Sequence, residues 1–337
     1  MVSARTARRI ATTAAYGGGG VGLAGAGFYG LLRLEAGLAR RAIGPPKNDL
    51  LVADGRYGDF SGEPITVVVF GDSSAAGVGV DTPEQTPGAL IATGLAEIAR
   101  RPVHLSVFAQ TGAQTSDLAG QIRAAADLRP DLALIMVGAN DVTHRVRPTT
   151  SVRLLDEAVR QLCDAGVAVV VSTCPDLGTV EPIPHPLRWL ARRASRRLAA
   201  AQTVAAVEAG ARTVSLGSIL GPEFAAAPTE MFSPDRFHPS AAGYAAAAAV
   251  VLPSVAAALD LTTDDDTAQP ARTDDVLPVS VAAAEAAEQS GTEVVATQVA
   301  GHDRGSRGRW ALLRRRRRQL PAPAPADTLV MTAGRRP

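Results

Sequence analysis

Cysteine, aromatic side chains and excess charge are all scarce in this chain of 337 residues, and each scarcity excludes something. There are two cysteines, Cys163 and Cys174. Cys163 falls late in a predicted helix and Cys174 at the far end of the strand that follows. That strand spans roughly 20 Å at ~3.3 Å per residue, whereas a bridge needs Cα atoms within ~7 Å. Two free thiols are therefore expected, and they carry no information about compartment. The formal net charge is +1, without the basic excess that binding to nucleic-acid phosphates requires. Asp81 and Glu84 lack the spaced histidine and carboxylate partners of a metal site, so no metal is expected. Aromatic residues make up 4% of the chain, and no internal repeat is visible.

What is abundant is apolar sequence, at 46%. Between residues 65 and 260 apolar runs alternate with helical patterns. Strands are predicted at 65–70, 103–108, 132–137, 167–173 and 213–216. Helices are predicted at 86–100, 116–128, 151–164, 186–208 and 240–259. Continuous β-branched and aliphatic strands that alternate with helices imply a parallel sheet covered on both faces. Right-handed crossovers then produce a three-layer α/β/α sandwich. All strands of such a sheet end on one edge, where the following loops converge.

Outside that region the character changes. Residues 1–9 carry Arg5, Arg8 and Arg9, and residues 10–32 carry no charge at all. This run is long enough for a membrane-spanning helix, and Ala24-Gly25-Ala26 also fits the cleavage site of a signal peptide. The reading favoured is an uncleaved anchor, with the catalytic domain outside the cytoplasm; secretion and a flexible Gly-rich tail are the alternatives. Arginines on both flanks nearly cancel the positive-inside rule. Residues 33–63 read as a juxtamembrane helix and linker, and 64–260 as the folded domain. Residues 261–337 read as a disordered tail, with a transient Ala-rich helix over 279–289 and a basic run at Arg314–Arg318. The stretch 186–198 interleaves five arginines with Trp189 and leucines. It fits an ordinary amphipathic helix or an element that faces a membrane.

The chain is organised around residues 65–80, ITVVVFGDSSAAGVGV. A buried strand stops at Gly71, and Ser73 stands at the mouth of the strand-to-helix turn, where open α/β sheets place their chemistry. Three later stretches approach the same edge: Ala109–Ala113, Gly138–Asp141 and Ser233–Pro239. A serine hydroxyl needs a base to take its proton, and His238 is the candidate. The base needs a carboxylate to fix its tautomer, and Asp235 lies three residues back on the same loop. A tetrahedral intermediate needs donors for its oxyanion. The Ser73 N–H, the Gly112 N–H and the Asn140 side-chain amide are candidates. Asp72 and Asp141 read as acceptors that hold loops, and His144 is a further residue that could line the site.

These four blocks resemble the SGNH hydrolases, the GDSL-type esterase/lipase superfamily. Gly71-Asp72-Ser73 is similar to the first block, Gly112 to the second-block glycine, Gly138-Ala139-Asn140-Asp141 to the third, and Asp235-Arg236-Phe237-His238 to the last. Ser74 replaces the eponymous leucine at a variable position. The resemblance covers about residues 65–260. It implies a flavodoxin-like fold, a Ser73/Asp235/His238 triad with Ser73, Gly112 and Asn140 as the oxyanion hole, and no cofactor. Hydrolysis of an acyl ester of a small molecule, lipid or glycan is the activity it implies. Acyl transfer, thioester cleavage and a catalytically silent envelope scaffold are the other readings.

Overall fold

The computed structural model describes residues 26–44, 51–216, 227–261, 275–289 and 291–315. The chain enters on helix α1 (26–43), followed by strand β1 (Gly55–Tyr57) and strand β2 (Ile65–Gly71). Helix α2 (Pro87–Ala99), β3 (Val103–Val107), α3 (Leu118–Ala124) and β4 (Leu132–Met136) come next. A short helix α4 (Ala139–Thr143) leads to α5 (Pro148–Asp164), β5 (Ala168–Ser172), α6 (Leu187–Glu208) and β6 (Arg212–Val214). After α7 (Pro228–Met231) and α8 (Ala241–Ala258), the chain adds β7 (Val276–Pro278), α9 (Val279–Glu288), β8 (Thr292–Ala296), β9 (Arg304–Gly305) and β10 (Gly308–Arg315).

The central strands run in the order β3-β2-β4-β5-β6, all parallel. Numbered by their sequence among these five, that is the order 2-1-3-4-5 of flavodoxin-like sheets, whose strand order reverses beside the first strand. Both faces are covered, which is why the strands are continuously apolar. Val67 and Val69 of β2 point into a core shared with Ile91 and Leu95 of α2 and Val251 and Val255 of α8. Val68 and Phe70 point the other way, into a core with Leu118 of α3 and Leu155 and Val159 of α5. Helix α8 is the one described helix long and apolar enough to cross a membrane, and it is mostly buried in this core.

Three expectations are corrected. The sheet is not wholly parallel: β1 pairs antiparallel with β3 at one edge, within the stretch read as linker, and β8, β10 and β7 extend the other edge antiparallel. The folded domain therefore does not end at residue 260, and residues 276–315 are not a disordered tail. Their small and β-branched side chains supply a satellite core in which Val279, Ala282, Ala286, Val294 and Leu313 pack on Val207 of α6. The Asp- and Thr-rich segment before them resembles a linker, which hides the strands beyond it. Finally, the helix read as juxtamembrane is docked on the domain. Glu35 and Ala39 of α1 are buried, and Glu35 accepts a hydrogen bond from the Leu187 N–H at 2.9 Å. The run 10–25, the A-x-A site and Arg316–Arg318 lie outside the described residues.

Candidate active site

The site grows from the end of β2. Gly71 has φ +143°, and a Cβ there would overlap the Met136 carbonyl oxygen of the neighbouring strand. Only glycine allows the chain to turn so close to β4. Buried Gln121 of α3 holds this turn by both its amide atoms. Its Nε2 donates to the Gly71 carbonyl at 2.9 Å, and its Oε1 accepts from the Gly71 N–H at 2.8 Å. Asp72 is buried behind the turn, and its Oδ1 accepts from the Ser74 N–H at 2.9 Å. Burial dominates its electrostatics and pushes its carboxyl up to about 6, against the Ser74 hydrogen bond and the pull of His238.

Ser73 is delivered to the loop between α7 and α8. Its Oγ lies 2.9 Å from His238 Nε2, and His238 Nδ1 lies 2.7 Å from Asp235 Oδ2. The other carboxylate oxygen, Oδ1, accepts from Ser233 Oγ at 2.7 Å and from the N–H groups of Phe237 and His238 at 2.8 and 2.9 Å. Burial by itself raises the Asp235 carboxyl, but these donors outweigh it and hold the group well below the usual carboxylate range. The arrangement thus keeps an ionised acceptor behind an imidazole that touches the serine. The three residues are buried, as a base working in low dielectric requires.

The other two candidates differ. Asn140 stands in the first turn of α4 and lines the cavity beside Ser73, and its Nδ2 donates to the Ala113 carbonyl at 3.0 Å. A primary amide has a second N–H, so this bond orients the group without exhausting it. Gly112 has φ +83° in an exposed turn and is not among the residues that line the cavity. Among the described residues, no carbonyl accepts from the N–H of Ser73 or of Gly112. His144 is exposed, with its ring Nδ1 2.9 Å from the Asn140 carbonyl, and it does not line the cavity. Asp141 accepts from the Thr115 N–H at 3.1 Å, which makes it a loop holder.

Several residues of the site carry no motif. Gly79 has φ +110°, and a Cβ there would stand 2.6 Å from the Pro239 carbonyl and 3.0 Å from the His238 side chain. Tyr244 Oη donates to the Val78 carbonyl at 2.8 Å, tying α8 to the serine loop. Gln202 of α6 accepts from the Cys174 N–H at 2.8 Å and donates to the Val137 carbonyl at 3.0 Å. A single buried glutamine in a helical pattern looks like any polar residue, so sequence offered no signal for these. Two arginines of the 186–198 stretch prove structural: Arg192 and Arg196 reach the buried Asp176 at 3.1 and 2.9 Å. Both cysteines are free, and burial pushes the Cys174 thiol far up, away from nucleophilic use.

The cavity beside Ser73 is mostly apolar, with Met136, Leu177, Val180, Leu216, Phe232 and Phe237 among its walls. No group of three or more His, Cys, Asp and Glu side chains is arranged for a metal among the described residues.

Comparison with known proteins follows this geometry. The model of the GDSL-like Lipase/Acylhydrolase family matches residues 69–246, more than half of the chain. A GDSL-like esterase of Mycobacterium tuberculosis (strain ATCC 25618 / H37Rv) is 47% identical over 186 residues, 55% of this chain and 59% of that protein. The chain thus matches well under two thirds of the relative's length. Among solved structures, an alpha/beta hydrolase enzyme from the metagenome of Lake Arreo, Spain, is 20% identical over 61% of this chain and 100% of that chain, with a TM-score of 0.48. A putative SGNH hydrolase from Slackia heliotrinireducens is 21% identical over 57% of this chain and 99% of that chain, with a TM-score of 0.42.

Proposed function

Because the chain belongs to the GDSL-like lipase/acylhydrolase family, we propose that it is a serine hydrolase that cleaves carboxylic esters. The observation that carries this reading is the continuous line Ser73 Oγ, His238, Asp235, with both links under 3 Å, at the wall of an apolar cavity. In this reading His238 takes the Ser73 proton as the hydroxyl attacks the ester carbonyl. Asp235 stabilises the imidazolium that forms. The oxyanion is met by the Ser73 N–H, the Asn140 amide and the Gly112 N–H. Gly112 comes to the site through movement of its exposed turn. His238 returns the proton to the leaving alcohol. A water, activated by the same imidazole, then releases the acid from Ser73. The apolar cavity walls support an ester with an apolar acyl group. The uncharged run 10–32 supports attachment to a membrane, with the domain on the extracytoplasmic side.

The test is labelling of the full chain with a fluorophosphonate probe beside a panel of esters of rising acyl length. Wild type should label on Ser73 and turn over esters. Ser73→Ala should do neither while keeping its circular dichroism spectrum. Turnover by Ser73→Ala at the wild-type rate would overturn the mechanism.

A further inference from the structure

Helix α1 has two faces with different fates. Leu32, Glu35, Ala36, Ala39 and Ile43, at helical spacing, turn toward the domain. Ala39 joins a cluster with Ala139, Leu177, Val180 and Phe237, all of which also wall the cavity beside Ser73. Glu35, the helix's one acid, is buried and bonded to the Leu187 N–H at the start of α6, so it adds no negative charge outside. The outer face carries Leu31, Leu34 and Leu38, which are 43%, 60% and 48% exposed. Spacings of three and four residues align them in one stripe. Arg33, Arg40 and Arg41 are exposed around that stripe.

The neighbouring start of α6 repeats the pattern. Trp189 is exposed, Arg193 lies over its ring at 5.6 Å, and exposed Arg197 follows one turn later. Arg145 stands 6.0 Å from the ring of exposed Tyr29 on α1. Exposed leucines and aromatics rimmed by arginines are the composition of helices that lie in a lipid interface. The positive rim selects an anionic surface. The chain that leads directly into α1, residues 10–25, carries no charge.

We propose that α1 docks on the surface of an anionic phospholipid bilayer through Leu31, Leu34 and Leu38, while its inner face packs on the cavity wall and so holds the site beside lipid-borne esters. The preference for lipid-borne esters rests on the ester-hydrolase reading; the docking itself does not.

The experiment uses the full chain and two substrates: a long-chain ester dissolved in phosphatidylcholine vesicles, with and without phosphatidylglycerol, and a water-soluble butyrate ester without vesicles. Wild type should cleave the vesicle ester faster when phosphatidylglycerol is present. Leu31→Ser/Leu34→Ser/Leu38→Ser should lose roughly tenfold or more on the vesicle ester, the scale set by withdrawing three leucines from lipid, and keep its butyrate rate. Arg33→Gln/Arg40→Gln/Arg41→Gln, which spares the apolar stripe, should lose the response to phosphatidylglycerol. A wild-type vesicle rate in the leucine variant, or an equal loss on both substrates, would overturn the proposal. So would a wild-type dimer that the leucine variant dissociates, because a second copy would then cover the stripe. If wild type cleaves neither ester, the hydrolase reading fails. Hydrogen exchange then decides docking alone: α1 amides protected by phosphatidylglycerol vesicles in wild type but not in the leucine variant support it, and equal exchange refutes it.

Discussion

Ser233 Oγ donates to Asp235 Oδ1 at 2.7 Å, on the carboxylate oxygen opposite the one that meets His238. The serine does not line the cavity, so it acts on the reaction only through Asp235. It is a positioning residue: it holds the carboxylate plane that in turn holds the imidazole. Removing it should lower kcat about tenfold, part of the ~1.5–3 kcal/mol of a hydrogen bond to a charged group, and leave KM unchanged. Ser233→Ala should show this split in steady-state kinetics, and Ser233→Thr should restore the rate. A rise in KM with unchanged kcat would contradict the assignment.

Asn140 is oriented by the Ala113 carbonyl and faces the cavity. Asn140→Ala should lose ~10²–10³-fold in kcat, the usual loss for one oxyanion donor. Fluorophosphonate labelling should slow with it, since the same charge develops as the probe reacts. A variant with full kcat would remove Asn140 from the oxyanion site.

Strand β8 completes the edge of β6. Ser215 N–H donates to the Thr292 carbonyl and Gly291 N–H to the Ser215 carbonyl, both at 3.1 Å, and buried Glu293 meets Arg212 at 3.0 Å. A chain ending at Leu261 should therefore expose the β6 edge and the Val207 side of α6. Losing several buried apolar side chains at ~1.5–3 kcal/mol each should lower Tm by on the order of 10 °C or cause aggregation. Thermal unfolding of the shortened and full chains compares them directly. Equal Tm values would show that residues 276–315 fold apart from the sheet.

Asp72 makes stability depend on pH in an unusual direction. Its carboxyl titrates near 6 in the folded chain, above the unfolded value of 3.8. Between those pH values the folded state binds more protons than the unfolded state. Stability from this group is therefore full below about pH 4 and is lost as pH rises through about 6, by up to about 3 kcal/mol. Asp72→Asn should flatten that part of a urea-unfolding profile. A profile with the same slope in the variant would assign the dependence to other groups.

The five parallel strands were legible because burial on both faces forces an unbroken apolar run. Val67 to Phe70 has no polar residue to obscure it. The candidates Ser73, Asn140 and the Asp235–His238 pair were legible for a related reason. Each sits where a strand ends or a helix begins, and chemistry in such a sheet has one edge to occupy. The distances among them were not legible. Ser73 and His238 are 165 residues apart, and their 2.9 Å contact depends on Gly79 letting the His238 loop approach and on Gln121 pinning the Gly71 turn. Gly112 was legible as a glycine that allows close approach, but its exposed place off the cavity was not.

Residues 276–315 and helix α1 show the opposite case. Their short, alanine-rich stretches carry weak periodicity, and Ala282, Ala286 and Ala39 become core only because another surface happens to face them. What the sequence by itself determined is the set of elements whose apolar pattern is strong enough to demand burial, together with the order of the polar blocks at their ends. Only the tertiary structure decided which polar atoms meet, which weak elements find a surface, and where the sheet stops. Those outcomes depend on contacts between residues far apart in the chain, and local pattern carries no record of them.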